Sequence, residues 1–216
     1  MRVVAVPVKS LDRTKTRLAS VLSPGERAEL ARAMLNDVLD ACLSQPGCDL
    51  WVISGQDEIL RLAERRGARP LREAGTTLRQ AVRQTEAEAR LHGCEELAVI
   101  LADLPFATPK AVATALGLSV SVAAAPATSD GGTNVLVRRP PSVIPARFGR
   151  SSFSKHRAEA YRRGVTFEPI NSIELGFDLD RPEDLATVLE SERDSRTRAA
   201  CHEMGLAERL RLEIPL

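Results

Sequence analysis

Short runs of β-branched and other apolar residues alternate along the chain with longer segments whose hydrophobic residues have helical spacing. The clearest apolar runs cover residues 3–8, 50–54 and 97–101. Strands separated by helical segments indicate crossover connections and a mainly parallel sheet. Because residues 97–101 are apolar throughout, we predict that this strand is central and covered on both faces.

The other elements continue the same alternation. We predict an edge strand at residues 68–71 and further strands at residues 119–125, 134–137, 165–170 and 175–178. We predict helices at residues 24–42, 56–66, 76–91, 108–117, 151–163 and 180–190. The runs at 119–125 and 134–137 are too close for a crossover, so we expect them to pair antiparallel. The predicted fold class is therefore α/β, a single domain of three layers with a mixed, mostly parallel sheet.

Helix boundaries are marked by local signals. Ser23 reads as an N-cap, with Pro24 at the first helical position and Glu26 placed to complete a capping box. Gly67 reads as a C-cap. We assign residues 1–192 to one domain. Residues 193–216 are charged and loosely periodic, and we predict a helical tail that packs on the domain or on a partner subunit.

The composition excludes several classes of function. The 216 residues are enough for one sizeable core, and the formal net charge of +1 gives no overall basic field for nucleic acid. Aromatic residues make up 3%, which argues against a base-stacking surface. No CxxC pair occurs, and no apolar run approaches the roughly 20 residues of a membrane span. We expect a cytoplasmic protein with neither a nucleic-acid nor a membrane partner.

A basic loop follows the first predicted strand. It contains Lys9, Arg13, Lys15 and Arg17. In open α/β sheets, ligands bind beyond the carboxyl ends of the strands. Cationic side chains at this position can neutralise a triphosphate and a departing pyrophosphate. The alternative is a basic loop that is simply solvated.

Three aspartates lie after predicted strands. Asp103 ends the buried run at 97–101, and Asp178 and Asp180 follow the run that begins at residue 175. On extended backbone, residues two apart point to the same side, and like carboxylates held together favour a cation between them. Mg²⁺ accepts a few carboxylate oxygens and keeps positions open for phosphate oxygens. The alternatives are that Asp103 caps the helix near Thr108 and that Asp180 caps the helix after it.

Two further segments suit anions. The glycines in 131–134 allow close backbone approach with amide donors, or form only a tight turn between strands. Residues 147–156 lead into a helix N-terminus, which offers free N–H groups and positive potential. Alternatively, Ser151 or Ser152 only caps that helix. His156 lies inside the same helix, where packing and catalysis are equally reasonable roles.

Taken together, these motifs resemble one known family. The residues that carry the resemblance are Val6-Pro7-Val8-Lys9, Lys15-Thr16-Arg17-Leu18, Ala102-Asp103-Leu104-Pro105, Gly132-Thr133-Asn134, Arg147-Phe148-Gly149, Ser152 to His156, and Phe177-Asp178-Leu179-Asp180-Arg181-Pro182. The family is 2-phospho-L-lactate guanylyltransferase of coenzyme F-420 biosynthesis, some members of which use phosphoenolpyruvate or 3-phosphoglycerate. The resemblance implies a nucleotidyltransferase fold, GT-A-like and Rossmann-like, over residues 1–192.

The resemblance also implies the reactants and the residues that hold them. GTP would be the donor, a small phosphorylated acid the acceptor, and Mg²⁺ the cofactor; a homodimer is favoured. The implied metal ligands are Asp103, Asp178 and Asp180. The implied contacts to the acid are Lys9, Thr133, Gly149 and Ser152, with His156 as a further candidate. The implied nucleotide contacts are Val6, Pro7, Lys15, Thr76, Thr77 and Asp103. The candidate catalytic residues are Lys9, Arg17 and Asp103.

One departure leaves the base less defined. The family commonly carries a Gly-Leu-Asn-like stretch near the helix that faces the nucleotide, whereas residues 75–80 here read Gly-Thr-Thr-Leu-Arg-Gln. Alternatives are a molybdenum-cofactor or sugar-phosphate nucleotidyltransferase and a non-catalytic nucleotide-binding relative. The first two usually carry a glycine-rich loop after the first strand. Residues 9–17 contain no glycine, which disfavours them.

Overall fold

The computed structural model of the chain describes residues 1–11 and 14–213. Arg13 of the predicted basic loop lies outside these residues. The strands are β1 Arg2–Val8, β2 Cys48–Ser54, β3 Arg69–Arg72, β4 Glu96–Ile100, β5 Val122–Pro126, β6 Thr133–Arg138 and β7 Phe167–Pro169. The helices are α1 Pro24–Leu43, α2 Asp57–Arg65, α3 Leu78–Leu91, α4 Pro109–Gly117, α5 Ser152–Arg162, α6 Ile173–Gly176, α7 Pro182–Glu190, α8 Arg196–Glu203 and α9 Leu206–Glu213.

The described strands form one sheet in the order β3-β2-β1-β4-β6-β5-β7. Within that sheet β6 alone runs antiparallel to its neighbours, β4 and β5. The predicted mixed, mostly parallel sheet is therefore confirmed, as are the edge position of β3, the central position of β4 and the antiparallel pairing of β5 with β6. The short connection between β5 and β6 leaves no room for a crossover.

Helices cover both faces of the sheet. Alternate strand residues point to opposite faces, so Val4, Val6 and Ile100 pack with α1 and α4, whereas Val3 and Trp51 pack on the opposite face. Each set belongs to its own buried cluster. These two clusters confirm the predicted three-layer α/β architecture.

The predicted capping box at the first helix is present. The Ser23 hydroxyl accepts a hydrogen bond from the Glu26 N–H, and the Glu26 carboxylate accepts one from the Ser23 N–H. Gly67 has a φ of 79°, the left-handed conformation expected after a helix end. These signals are local in sequence, which is why the pattern alone could locate them.

The strand predicted at residues 175–178 is wrong. Residues Ile173–Gly176 form the helical turn α6, which the Ser172 hydroxyl caps by accepting from the Leu175 N–H. The Gly176 carbonyl accepts from the Thr128 N–H and from the Asn134 side chain. This backbone is therefore bonded to the β5–β6 region rather than to a neighbouring strand. Similarly, β5 begins at Val122 instead of residue 119.

The C-terminal segment lies against α1. The buried Asp37 carboxylate of α1 accepts from the Thr197 hydroxyl of α8 at 2.6 Å and from two backbone N–H groups there. Arg209 of α9 pairs with Glu26 at 2.5 Å. Cys201 and Leu206 belong to the same buried cluster as α1. Among the described helices, none is long and apolar enough to span a bilayer.

Candidate active site

A crevice opens between β1 and β4 at their carboxyl ends. The β1–β4 ladder ends at the pair Ala5–Val99, whereas the β1–β2 ladder continues to Val8–Ser54. Parallel strands that separate in this way form the usual ligand crevice of an open α/β sheet. A cavity of about 180 Å³ lies here, lined by residues that include Pro7, Lys9, Lys15, Leu78 and Asp103.

Lys15 lies between two of the three predicted aspartates. Its ammonium is 2.8 Å from Asp103 Oδ2 and 2.7 Å from Asp180 Oδ1, and its side chain is 5% exposed. Burial lowers the pKa of Lys15, but the adjacent Asp103 and Asp180 carboxylates raise it more, so the net shift is upward. Lys15 has a φ of 52°, a left-handed conformation that costs a non-glycine residue roughly 1 kcal/mol.

Asp103 and Asp180 are not helix caps. The helix after Asp103 is capped by Thr108, whose hydroxyl accepts from the Ala111 N–H at 3.1 Å. The N-cap of the helix after Asp180 is Arg181, and the Asp184 carboxylate in the first turn of that helix accepts from the N–H groups of residues 180 and 181. Both capping alternatives are therefore excluded. Asp103 lines the crevice, and Asp180 pairs with Lys15, which lines it too.

Asp178 completes what we call the carboxylate corner, Asp103, Asp178 and Asp180. Its Oδ2 accepts from the Ser129 hydroxyl at 2.6 Å. Burial raises the pKa of Asp178, and the charges of Asp103 and Asp180 raise it further. Oδ1 of Asp178 and Oδ1 of Asp103 are buried with no hydrogen-bond partner among the described residues. Unpaired buried carboxylate oxygens are costly, so these two oxygens suit a positively charged or hydrogen-bonding partner.

The side chains of the carboxylate corner are of the type that a hard divalent cation prefers. In the structure, however, they are not arranged as a metal site. The corner's donors are all carboxylate oxygens, which Mg²⁺ prefers, and two of them lack any partner. Across residues 1–11 and 14–213, however, no three His, Cys, Asp or Glu side chains converge as a metal cage. Lys15 supplies the positive charge between Asp103 and Asp180 instead. A metal ion there would have to displace the Lys15 ammonium.

The remaining basic residues of the first loop are placed differently. Lys9 pairs with Glu73, a residue whose side chain is almost fully buried. Arg17 is 3.4 Å from Asp180 and largely exposed. Sequence reasoning missed Glu73. The sequence does place Glu73 directly after β3, just as Lys9 directly follows β1. Both residues therefore lie at the carboxyl ends of the strands, where ligands bind.

Only some of the predicted nucleotide contacts have side chains that line the crevice. Pro7 lines the cavity described above, and Thr76 lines an adjoining cavity of about 710 Å³. Val6 is fully buried with its side chain in the core, so only its backbone can reach a ligand. Thr77 is the N-cap of α3: its hydroxyl accepts from the Gln80 N–H and contacts the Gln80 side-chain oxygen.

Thr133, Ser152 and His156 form a second group, which we call the hydroxyl corner. The Thr133 and Ser152 hydroxyl oxygens are 2.8 Å apart, and Thr133 Oγ1 is 3.0 Å from His156 Nδ1. The Ser152 N–H donates to the Gly149 carbonyl at 3.0 Å. The structure thus brings together four residues that the sequence proposed as contacts to the acid.

His156 lies behind the two hydroxyls and is fully buried. Its Nε2 accepts from the Arg147 N–H at 2.8 Å. Burial lowers the pKa of His156 to about 4, and the cationic Arg138, Arg147 and Lys155 add to the shift. The imidazole is therefore neutral at pH 7 and, as placed here, supports Thr133 instead of contacting a substrate directly.

A basic cleft adjoins Gly149, and sequence reasoning did not identify it. Its volume is about 700 Å³, and its charged lining comprises Arg79, Arg83, Arg147, Arg150, Lys155 and Glu86. The single acid, Glu86, is neutralised by the fully buried Arg138. The signal was available in part, because Arg79 and Arg83 are four apart on one face of α3.

Comparisons with known proteins identify relatives that cover most of the chain. A family model described as "Guanylyl transferase CofC like" matches residues 1–211. A phosphoenolpyruvate guanylyltransferase of Sphaerobacter thermophilus is 36% identical, with 85% of this chain and 90% of the relative covered. A 2-phospho-L-lactate guanylyltransferase of Natrialba magadii is 37% identical, covering 94% and 92%. A 3-phospho-D-glycerate guanylyltransferase of Phenylobacterium zucineum is 36% identical, covering 85% and 87%.

A solved structure supports the fold independently. A crystal structure from Desulfovibrio desulfuricans, described as a nucleotide-diphospho-sugar transferase, superposes with a TM-score of 0.78 at 21% identity. It covers 97% of this chain and 98% of its own. The sheet and its helical layers are therefore shared with that structure.

Proposed function

Because the chain belongs to the family of CofC-like guanylyl transferases, we propose that it transfers GMP from GTP to the phosphate of a small phosphorylated acid, with release of pyrophosphate, in coenzyme F-420 biosynthesis. The acid is phosphoenolpyruvate, 2-phospho-L-lactate or 3-phosphoglycerate, the three acceptors in the names of its relatives. The observation that carries the assignment to this crevice is the pair of unpartnered buried oxygens on Asp103 and Asp178 beside the Lys15 ammonium.

The carboxylate corner is the proposed site of Mg²⁺. Asp103 and Asp178 would contribute the two oxygens that lack partners, and Asp180 would contribute once Lys15 moves away. The ion would neutralise phosphate oxygens of both substrates and withdraw charge from the reacting phosphorus.

Basic side chains of the first loop handle the triphosphate. Lys15, once displaced from the aspartates, can move to the phosphates of GTP, where its ammonium balances negative charge. Lys9 can exchange Glu73 for a phosphate oxygen of either substrate. The exposed Arg17 can bind the pyrophosphate as it departs. Each of these cations has a carboxylate partner now, so the site carries no unpaired lysine before substrate binds.

The hydroxyl corner and Gly149 hold the acid. Thr133 and Ser152 offer hydroxyls, and the side-chain amide of the neighbouring Asn134 donates to the Gly176 carbonyl at 2.9 Å. The acid's phosphate would thus lie between the hydroxyl corner and the carboxylate corner. No strong base is required there, because the attacking phosphate oxygen is already ionised at neutral pH.

The transfer itself is a displacement at phosphorus. An oxygen of the acid's phosphate bonds to the α-phosphorus of GTP, and the bond from that phosphorus to the oxygen bridging to the β-phosphate breaks. Pyrophosphate leaves with the bonding electrons. Such reactions depend on positioning and charge neutralisation more than on covalent catalysis.

The proposal is tested by pyrophosphate release. The protein is incubated with Mg²⁺, each nucleoside triphosphate and each of the three acids in turn, with a sugar phosphate as the acceptor expected of the alternative nucleotidyltransferases. We expect release that requires GTP and one of the acids. Release with no dependence on any acid, or only with a sugar phosphate, would contradict the proposal.

A homodimer and a cytoplasmic location stay predictions. Sedimentation of the protein in solution tests the first.

A further inference from the structure

His156 makes hydrogen bonds through both ring nitrogens, and one of them fixes its tautomer. The Arg147 backbone N–H lies 2.8 Å from His156 Nε2, and an amide N–H can only donate. Nε2 must therefore be unprotonated. A neutral imidazole then carries its proton on Nδ1, the nitrogen 3.0 Å from Thr133 Oγ1.

The direction of the next bond follows from this tautomer. His156 Nδ1–H donates to Thr133 Oγ1, so the Thr133 oxygen acts as an acceptor there. The Thr133 and Ser152 hydroxyls, 2.8 Å apart, share one of their two protons in the bond between them. Whichever hydroxyl donates in that bond, one proton is left over. The Thr133–Ser152 pair is therefore a net hydrogen-bond donor with one O–H available.

We propose that His156 is a positioning residue, which polarises the Thr133–Ser152 hydroxyl pair so that its spare O–H donates to an anionic oxygen of the phosphorylated acid. This inference rests on the proposed function, because that function supplies the acid. The chain of donors runs from Arg147 through His156 to the hydroxyl pair. Reversing it would require Nε2–H to face the Arg147 N–H, two donors in contact.

Burial and packing around His156 keep the direction of its hydrogen bonds fixed. Thr133 is 2% exposed, and Ser152 and His156 are fully buried, so water does not compete for the hydrogen bonds within the corner. Phe148 packs edge-on against the imidazole, with ring centroids 5.8 Å apart. The pKa of His156, lowered to about 4, agrees with a neutral ring at pH 7. A buried donor with no acceptor costs free energy, which an anionic ligand recovers.

The geometry also excludes His156 as a general base. The ring lies behind the hydroxyls, and both of its nitrogens are already bonded. Its effect must reach the acid through Thr133 and Ser152. The nucleotide contacts that the resemblance implies, such as Pro7 and Thr76, lie outside the hydroxyl corner, so the influence of His156 should fall on the acid alone.

Three substitutions separate the two bonds of His156. His156→Phe keeps a planar ring and removes both. His156→Asn places an N–H near the position of Nδ1 and can still donate to Thr133. His156→Gln reaches the position of Nε2 and can accept from the Arg147 N–H, but leaves Thr133 without its donor. We expect His156→Phe and His156→Gln to raise the KM for the acid roughly three- to tenfold, the net value of the lost neutral hydrogen bond that orients the hydroxyl pair, because the pair itself keeps its spare O–H. His156→Asn should recover part of that loss.

The KM for GTP is the internal control. It should change little in all three variants, because the hydroxyl corner faces the acid. In a Thr133→Val background, His156→Phe should add little to the KM for the acid, since the hydroxyl that it acts through is absent. Thr197→Val is the matched control for stability: it removes a buried hydroxyl bonded to Asp37 at the distant α1–α8 contact. It should leave both KM values unchanged.

The outcomes decide between the inference and the function beneath it. If the wild-type protein shows no acid-dependent pyrophosphate release, the proposed function fails first. If the wild type is active but His156→Phe raises both KM values equally, or leaves the KM for the acid unchanged, the positioning role is overturned. Nitrogen-15 NMR of the imidazole is the readout that needs no turnover. We expect the Nδ1–H tautomer at pH 7; an Nε2–H tautomer or an imidazolium would overturn the inference.

Discussion

The carboxylate corner and the hydroxyl corner lie side by side at the end of the sheet and are built in opposite ways. The carboxylate corner is charged, has two buried oxygens without partners, and is held by the Lys15 ammonium. The hydroxyl corner is neutral, and its side chains bond to one another, with one hydroxyl proton left over. On the proposed function, one half of the site would have to rearrange to take a cation, whereas the other would bind its ligand with little rearrangement.

The two corners also differ in how much they would have to rearrange when a ligand binds. On the proposed function, Lys15 would have to leave Asp103 and Asp180 before a metal ion could bind there, so binding of substrate and metal would rearrange the carboxylate corner. At the hydroxyl corner, His156 sets the polarity before any ligand arrives, and only one O–H changes partner. Preorganised groups lose less entropy on binding than groups that must be reordered. Substitutions at the two corners should therefore produce different kinetic and thermodynamic signatures.

The largest effect is expected from Asp103→Asn, which removes a charged ligand from the carboxylate corner while keeping the shape of the side chain. Pyrophosphate release should fall on the order of a thousandfold, comparable with removal of a main electrostatic contact to a transition state. Circular dichroism should be unchanged. Asp49→Asn is the control, because Asp49 is exposed at the opposite end of the sheet. Full activity in Asp103→Asn would remove this aspartate from the site.

The second-largest effect is expected in the pH dependence of the free energy of unfolding, through His156 of the hydroxyl corner. The folded-state pKa of His156 is about 4, below its unfolded value of 6.5. Between these values the unfolded chain binds more protons, so the contribution of His156 is fully present above pH 6.5 and is lost as the pH falls toward 4. The loss is on the order of 3 kcal/mol. Denaturant unfolding of wild type and His156→Asn should show a steeper acid dependence for the wild type; identical slopes would contradict the buried neutral ring.

A smaller effect is expected from Lys15→Met, which removes the internal cation of the carboxylate corner. Without metal, the repulsion between Asp103 and Asp180 should lower the free energy of unfolding by about 1 kcal/mol. With Lys15 no longer competing, Mn²⁺ should bind more tightly, by roughly tenfold. Pyrophosphate release should nevertheless fall, because the triphosphate loses a cation. Calorimetric titration with Mn²⁺ is the measurement, and weaker binding in Lys15→Met would contradict the exchange.

The smallest effect is expected outside both corners, at Thr77. Its hydroxyl is engaged with Gln80 as the N-cap of α3. Thr77→Ala should therefore lower the free energy of unfolding by about 1 kcal/mol, the usual value of a lost cap, and leave the KM for GTP unchanged. A rise in that KM without loss of stability would restore Thr77 as a nucleotide contact. The comparison of ATP with GTP in this variant shows whether the hydroxyl affects base selection.

The sequence predicts the features that depend on local chemistry or on strand order. The capping box at Ser23, the central apolar strand and the placement of Asp103 at its end all follow from short-range patterns. The ion pairs of Lys15 with Asp103 and Asp180 join residues 88 and 165 positions apart, and no local pattern encodes them. The segment before Asp178 was predicted as a strand because its apolar residues resemble a short strand. In the structure Ser172 caps a helical turn there instead.

The hydroxyl corner was predicted only in part. Thr133 and Ser152 followed from the resemblance to a known family, and both lie where the acid is proposed to bind. The role of His156 depends on a backbone N–H nine residues away and on complete burial, neither of which can be read from the sequence. Side chains that act through other side chains become visible only when donors and acceptors are placed.

The identity of the product tests the central claim most directly. Wild-type protein is incubated with GTP, Mg²⁺ and the acid that supports the fastest pyrophosphate release, and the products are examined by phosphorus-31 NMR. The account predicts a new diphosphate in which the acid's phosphate is joined to the phosphate of GMP, formed in equal amount to pyrophosphate. Pyrophosphate accompanied by free GMP and unchanged acid would show hydrolysis instead of transfer and would contradict the account.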